Sequence, residues 1–371
     1  MNYLFLTSFG ETANFIFYIL LAILILLVMI TVHEFGHYIT GKIFGFGIEE
    51  FSIGFGPKLF SKKKQNGEVF SIRAVPLGGF CSFTGEDADS DDPKAFNNKK
   101  PWQRILVLIS GAFMNYLTAL IVVCLLFGIY GHTAIMTYDV KEENKNLEYC
   151  LQDRDVILKV EGKTVYLVTD LISLLDGRDE GEEISVDIIR QGKRQNAIIK
   201  LQCDTNFQNV EDLEKLCKSL GVEYKTLDDG ALDIGFRSTG IRFGFFENLA
   251  SSFRYTFKLA STVFVILGEL FSGALGIGSL GGTVTTISVT ANAIKTGGMW
   301  SLLNIAGFIG VNLAVFNLLP FPALDGSRVV FTAIEWIRKK PINRRVEGLI
   351  HGIGFVLILL FAIFIDLQQC F

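Results

Sequence analysis

The sequence predicts a multi-pass α-helical membrane protein with four transmembrane helices, a membrane-associated β-hairpin on the cytoplasmic side and an α/β domain on the opposite side. Three observations carry this reading. Of 371 residues, 50% are apolar and only 19% charged. The apolar residues collect in long uncharged runs instead of recurring at helical or strand periods. Lys and Arg crowd two short connections and are missing from the first fourteen residues. The same arithmetic excludes a disordered chain, a disulfide-stapled small domain and a repeat solenoid. With 34 Lys+Arg against 38 Asp+Glu there is no basic surplus for nucleic acid.

The first span is Phe15 to Val32, inside an uncharged stretch between Glu11 and His33 that is long enough to cross ~30 Å of hydrocarbon at ~1.5 Å per residue. It lacks the basic start of a cleaved signal peptide. Further uncharged runs lead from Ile105 past Phe127, from Thr296 to Leu324 and from Gly348 to Ile365, which gives four spans. The connection after the first span holds Lys42, Lys58, Lys62, Lys63, Lys64 and Arg73, and the connection after the third holds Arg328, Arg338, Lys339 and Lys340. Both are expected in the cytoplasm, which puts both termini outside. The division is then 1–131 for the first two helices and their hairpin loop, 132–240 for the extracytoplasmic domain, 241–295 for an interfacial amphipathic region and 296–371 for the last two helices. The glycine-rich stretch from Leu270 to Ile294, with Gly273, Gly276 and Gly278, is expected not to span, because another crossing would reverse the helix that follows.

Residues 48 to 75 alternate as strands: Ile48 to Ser61, a turn ending in Asn66-Gly67, and Val69 to Val75 returning. The acidic residues Glu86, Asp87, Asp89, Asp91 and Asp92 that follow read as a solvated loop. Between 139 and 202, strand runs at Val156 to Val160, Ile184 to Arg190 and Asn196 to Leu201 surround a helix near Thr169 to Leu175, and residues 203–232 stand apart as an insertion. Cys203 and Cys217 bracket that insertion, and a disulfide between them is expected if the compartment is oxidising.

At the end of the first span stands His33-Glu34-Phe35-Gly36-His37. In a helix, positions i and i+4 share one face, so both imidazoles can reach one Zn²⁺ with Glu34 beside the attacking water. Two histidines and a glutamate in an apolar helix are costly without a metal or partners. A third ligand must come from elsewhere, because Thr40 and Ile43 occupy the places where an extended motif would supply Gly and His. Asp325 ends the uncharged third span in Asn317-Leu318-Leu319-Pro320-Phe321-Pro322-Ala323-Leu324-Asp325-Gly326, and the four-span topology puts it at the depth of His33 and His37. His351 is the rival ligand, or else a packed, hydrogen-bonded histidine.

An intramembrane HExxH followed by Asn-x-x-Pro-x-Pro-x-Leu-Asp-Gly resembles the site-2 protease family of intramembrane zinc metalloproteases. The bacterial RseP-like branch is similar also in Gly54-Phe55-Gly56, Pro76-Leu77-Gly78-Gly79-Phe80, Gly85-Glu86 and Pro101-Trp102-Gln103-Arg104. The resemblance implies His33, His37 and Asp325 as zinc ligands, Glu34 as general base, and Asn317 as a polar contact to substrate, with a helix-to-helix hydrogen bond as the other reading of Asn317. It implies that the strand carrying Gly54, Phe55 and Gly56 pairs with an unwound substrate, against a plain cytoplasmic hairpin. It also implies a PDZ-like fold for the outer domain, although the branch's Gly-Leu-x-x-Gly-Asp reads Cys150-Leu151-Gln152-Asp153-Arg154-Asp155 here. The activity implied is peptide-bond hydrolysis within single-span membrane proteins, such as anti-sigma factors or remnant signal peptides already trimmed by another protease, in the lipid bilayer of a bacterial cell membrane. Two alternatives are a zinc protease of quality control that cuts cytoplasmic loops and a non-catalytic PDZ scaffold. Asn115 reads as structural.

Overall fold

The protein is described by a computed structural model covering residues 2–86, 90–144, 147, 149–207, 212–226, 232–274, 276 and 281–370. Two compact units form, Met1–Leu126 with Leu249–Phe371, and Phe127–Asn248. Part of the acidic loop (87–89) and of the glycine-rich stretch (275 and 277–280, with Gly278) lies outside the described residues.

The first unit is built from α1 (Asn2–Ile43), α2 (Pro101–Tyr130), α5 (Phe245–Ser272), α6 (Thr283–Leu318), α7 (Asp325–Arg338) and α8 (Arg344–Cys370). Among the described residues five helices, not four, are long and apolar enough to cross a membrane. The addition is α5, expected as an interfacial helix. It is the least apolar of the five and keeps Glu247, Arg254, Lys258 and Glu269, yet packing takes part of it into the bundle, where Val263 meets Ala119, Val311 and Val315. The third expected span also starts earlier, at Thr283, and is broken at Gly298, whose φ of 57° and ψ of −139° no helix tolerates. Ile25 and Met29 of α1 pack with Ala306 and Ile309 of α6, and further along His33 meets Asn317, so these two helices run in the same direction. His37 meets Val107 and His33 meets Asn115, so α2 runs opposite to α1.

Strands β1 (Ile48–Lys63) and β2 (Val69–Phe83) are longer than the sequence suggests and make more than a hairpin. The end of β1 pairs with the start of β2, Lys63 opposite Val69 and Lys58 opposite Arg73. The start of β1 lies between two stretches of β2, with Ser52 opposite both Ser71 and Phe80. Ser52 and Ser71 are buried as a result, joined by a 3.0 Å hydroxyl contact. Glu50 anchors the curl. Burial alone would raise its carboxyl, but hydrogen bonds from Ser71, Arg73 and Lys58 more than offset this and hold it at about 2. Glu86, expected in a solvated loop, forms an ion pair with Arg328 of α7 instead. α7 is also tied to α2, since Glu335 accepts 2.6 Å from Arg104 and 2.9 Å from Arg344 with all three side chains largely buried.

In the second unit β3 (His132–Thr137), β4 (Val156–Val160), β6 (Glu183–Arg190), β7 (Lys193–Lys200) and β10 (Phe236–Ile241) make a sheet ordered β10-β3-β4-β6-β7, with β5 (Lys163–Thr164) beside β4. Alternate residues Ile184, Val186 and Ile188 of β6 point to a core shared with Leu171, Ile172 and Leu175 of α3 (Val168–Leu175). Arg154 takes a φ of 67° in the Cys150–Asp155 turn, a conformation that glycine would adopt without strain, and Asp155 is fully buried against Arg190 at 2.6 Å. The insertion contributes α4 (Leu213–Ser219) and β8 (Tyr224–Thr226), which pairs with β9 (Leu232–Ile234) at its end, and Leu216 and Cys217 of α4 enter the domain core. The expected Cys203–Cys217 disulfide is not formed: both are free cysteines, and Cys217 is wholly enclosed in the core.

Candidate metal centre

The apolar run of α1 continues unbroken through the HExxH residues, so His33 and His37 stand on one face one turn apart, both buried. The chain beyond α6 delivers the third group. Pro320 and Pro322 keep Leu319 to Leu324 out of helix, Ala323 turns at a φ of 78°, and α7 starts at Asp325, whose carboxylate sits at a helix N-terminus. Gly326 lets this start press against the end of α6, because a Cβ there would overlap the carbonyls of Leu318 and Leu319. His33 Nε2 lies 2.8 Å and His37 Nε2 3.3 Å from Asp325 Oδ2, and the two Nε2 atoms are 3.1 Å apart.

These three atoms fit a metal ion. A tetrahedral zinc with bonds of ~2.0–2.1 Å spaces its ligand atoms ~3.4 Å apart; two of the three separations seen lie within ~0.3 Å of this and the His33–Asp325 one is ~0.6 Å shorter. The His37 ring is already oriented as a ligand, since its Nδ1–H donates to the Val107 carbonyl at 2.8 Å and the Nε2 lone pair is left facing the cluster. Room for an ion comes from Gly111 of α2, where a Cβ would stand 2.5 Å from His37 Nε2 and 2.7 Å from His33 Nε2. Among the described residues this is the only group of three or more His, Cys, Asp or Glu side chains placed to hold a metal.

A cavity of about 520 Å³ opens on the cluster, lined by Glu34, His37, Asp325 and the β2 segment Phe80, Cys81, Ser82 and Phe83. Glu34 is thus beside the metal cluster and open to whatever enters. Gly79 stands next to it, a Cβ there being 3.5 Å from Glu34 Cγ. Gly54, Phe55 and Gly56 are not on this wall. Phe55 stacks on Phe80 and lies against Gly78, so the strand they belong to supports the wall from behind. Asn317 reaches His33, its Nδ2 3.4 Å from Nδ1, and Asn115 does the same from α2. His351 lies outside this three-residue group. Its Nδ1 accepts the Ala323 N–H at 3.1 Å and so braces the turn that presents Asp325. Gly111 and the Cys81–Phe83 edge carry no sequence signal for the site beyond their neighbourhood to family motifs, Phe80 closes one of those motifs, and Asn115 reads in the sequence as structural only.

Residues 21–361 match Peptidase family M50. The chain is 33% identical to a protein of Clostridium perfringens over 95% of its own length and 98% of the relative's, and 31% identical to one of Fusobacterium nucleatum over 94% and 97%. A Clostridium acetobutylicum protein is 30% identical over 95% and 97%. All three carry the name "Putative zinc metalloprotease". With the metal cluster and the HExxH helix in place, the chain belongs to peptidase family M50, the site-2 protease family of zinc metalloproteases.

Proposed function

We propose that this protein is an intramembrane zinc metalloprotease that hydrolyses peptide bonds within the transmembrane segments of single-span membrane proteins. The observation that carries the reading is the convergence of His33, His37 and Asp325 at the end of an apolar helix, with Glu34 on the wall of the adjoining cavity. His33, His37 and Asp325 would hold the zinc. When bound, zinc supplies Lewis-acid polarisation of the scissile carbonyl and acidifies the attacking water. Glu34 takes the proton from that water and returns it to the leaving amine. Asn317 offers a polar contact to the substrate backbone, and Asp325 stands at the start of α7, where the helix dipole favours an anion.

A helical substrate cannot be cut as it stands, since its carbonyls are tied in i to i−4 bonds. Unwinding exposes groups that cost several kcal/mol each when unpaired in lipid. The Phe80–Phe83 stretch on the cavity wall, held by the strand of Gly54, Phe55 and Gly56, offers those partners by strand addition. The substrates are single-span proteins already trimmed outside, such as anti-sigma factors or remnant signal peptides, and the second unit is a PDZ-like domain on that outer side.

The topology keeps four full crossings, α1, α2, the second segment of α6 and α8, with both termini outside and the metal near the cytoplasmic face. α5 runs with α6, because Tyr255 meets Asn304 while Val263 meets Val311 and Val315. A return is then needed between them, and the α6 segment before Gly298 provides it, so the pair leaves the direction of the last spans unchanged. The test is capture: a Glu34→Gln enzyme expressed in a bacterial membrane should accumulate bound, uncut single-span proteins. Recovery of soluble cytoplasmic proteins or loops instead would overturn the intramembrane reading.

A further inference from the structure

An imidazole that binds a metal through one nitrogen carries its proton on the other, and that N–H needs an acceptor to fix the ring. His37 has one in the Val107 carbonyl. His33 points Nε2 at the cluster, 2.8 Å from Asp325 Oδ2, so its Nδ1 must be the donor. That Nδ1 faces two side-chain amides, with Asn115 Nδ2 and Asn317 Nδ2 each at 3.4 Å. Nitrogen against a protonated nitrogen is no bond. One amide has to present its oxygen.

The two asparagines are not equivalent. Asn115 is fully buried in the packed middle of α2, and its Oδ1 is enclosed without a hydrogen-bond partner. Turning this amide about its last torsion exchanges atoms of nearly the same size and brings the orphaned oxygen to His33 Nδ1. Asn317, in the last turn of α6, is only partly buried and lies one turn before the Pro320–Asp325 segment that borders the cavity. It can turn toward a bound peptide; Asn115 cannot.

We propose that Asn115 is the positioning residue of His33, its side-chain carbonyl accepting the Nδ1–H, and that this division of labour leaves Asn317 for the substrate. The inference rests on the zinc reading of the His33, His37 and Asp325 cluster. Loss of such an acceptor weakens a metal site by ~10–100-fold.

The experiment is chelator competition for zinc on the purified full chain, in four variants. Asn115→Leu removes the acceptor while keeping the same branched side-chain shape and heavy-atom count, and should bind zinc ~10–100-fold more weakly. Asn115→Asp keeps an acceptor and should stay within severalfold of the wild type, a rescue that a purely structural role would not give. Asn317→Leu should bind zinc like the wild type but raise KM for a single-span substrate. If Asn115→Leu does not fold, Asn115→Ser, whose hydroxyl is too short to reach, takes its place with the same expectation. Wild-type zinc affinity in the acceptor-less variant, or the loss appearing in Asn317→Leu instead, overturns the assignment. His33→Ala separates this from a failure of the zinc reading: if that variant holds zinc normally, the cluster itself is wrong.

Discussion

Replacing Gly111 by alanine tests the metal centre with one methyl group. The new Cβ would stand 2.5 Å from His37 Nε2 and 2.7 Å from both Cε1 and Nε2 of His33. Ordinary contacts are ~3.5–4.0 Å, so both rings must retreat by ~1 Å from the positions that bring them to Asp325. Metal bonds tolerate only ~0.2 Å, and a misplacement of ~1 Å costs ~10²-fold in rate. The overpacking itself should cost ~1–3 kcal/mol, offset in part by the ~1 kcal/mol that alanine gains over glycine in a helix. Gly352→Ala in α8 is the control, because it has the same helix gain with nothing within 4 Å of the added carbon. We expect Gly111→Ala to bind zinc at least ~10-fold more weakly and to cleave ~10²-fold more slowly, with Gly352→Ala like the wild type. Zinc by metal analysis and cleavage of a reporter substrate in detergent provide the readouts. A Gly111→Ala enzyme with a full complement of zinc and normal turnover would refute the placement of the two imidazoles.

Further outcomes follow from the same geometry. Glu34→Gln should keep its zinc and abolish cleavage, because an amide cannot act as base; turnover at the wild-type rate would sink the mechanism. Asp325→Asn should lower both zinc content and activity, whereas His351→Ala should retain zinc and lose activity modestly as the Ala323 turn loosens, and metal analysis separates the two. Glu50, held at about 2 against an ordinary ~4.5, stabilises the β1–β2 sheet above pH ~4.5, a contribution lost as pH falls toward 2. Hydrogen exchange of residues 48–83 should therefore speed up as pH is lowered through that window, after correction for intrinsic rates, and Glu50→Gln should remove the dependence. Phe55→Pro should cut turnover strongly with zinc still bound, and helix-breaking residues in the substrate should restore part of it; normal cleavage of helical substrates would make the sheet a bystander.

Much of the fold was legible because the bilayer demands long uncharged runs, and four such runs stand out in the sequence. What escaped was α5. Its charges look interfacial, and only tertiary packing reveals that residues such as Val263, with small neighbours like Ala119, draw it into the bundle. The break at Gly298 escaped because hydropathy shows only where a chain can cross; the Gly297-Gly298 pair was the one local sign of a bend. In the second unit the strand and helix positions followed from alternation and turn residues, but the insertion did not, since its core residues Leu216, Cys217, Leu220 and Val222 lie on and just after a seven-residue helix too short to leave a period.

The candidate site divides along a similar line. His33, Glu34 and His37 could be read because spacing along one helix is itself geometry, and Asp325 because a lone acid closing a 29-residue uncharged stretch has few structural reasons to be there. The groups that complete the centre act through space and leave no spacing to read. Gly111 matters for the carbon it lacks, Val107 for a carbonyl every residue owns, and Ala323 for a φ of 78° that its identity does not announce. The wall of the cavity is the sharpest case. Sequence pointed to Gly54-Phe55-Gly56, yet β2 passes the start of β1 twice, and its second passage puts Phe80 to Phe83 on the cavity. Phe55 of β1 and Gly78 of the Pro76-Leu77-Gly78-Gly79-Phe80 stretch are two sides of one contact, since the Phe55 ring occupies the space a side chain at Gly78 would need. A strand motif therefore marks where backbones approach, and the edge presented to a substrate is fixed only once the partner strand's path is known.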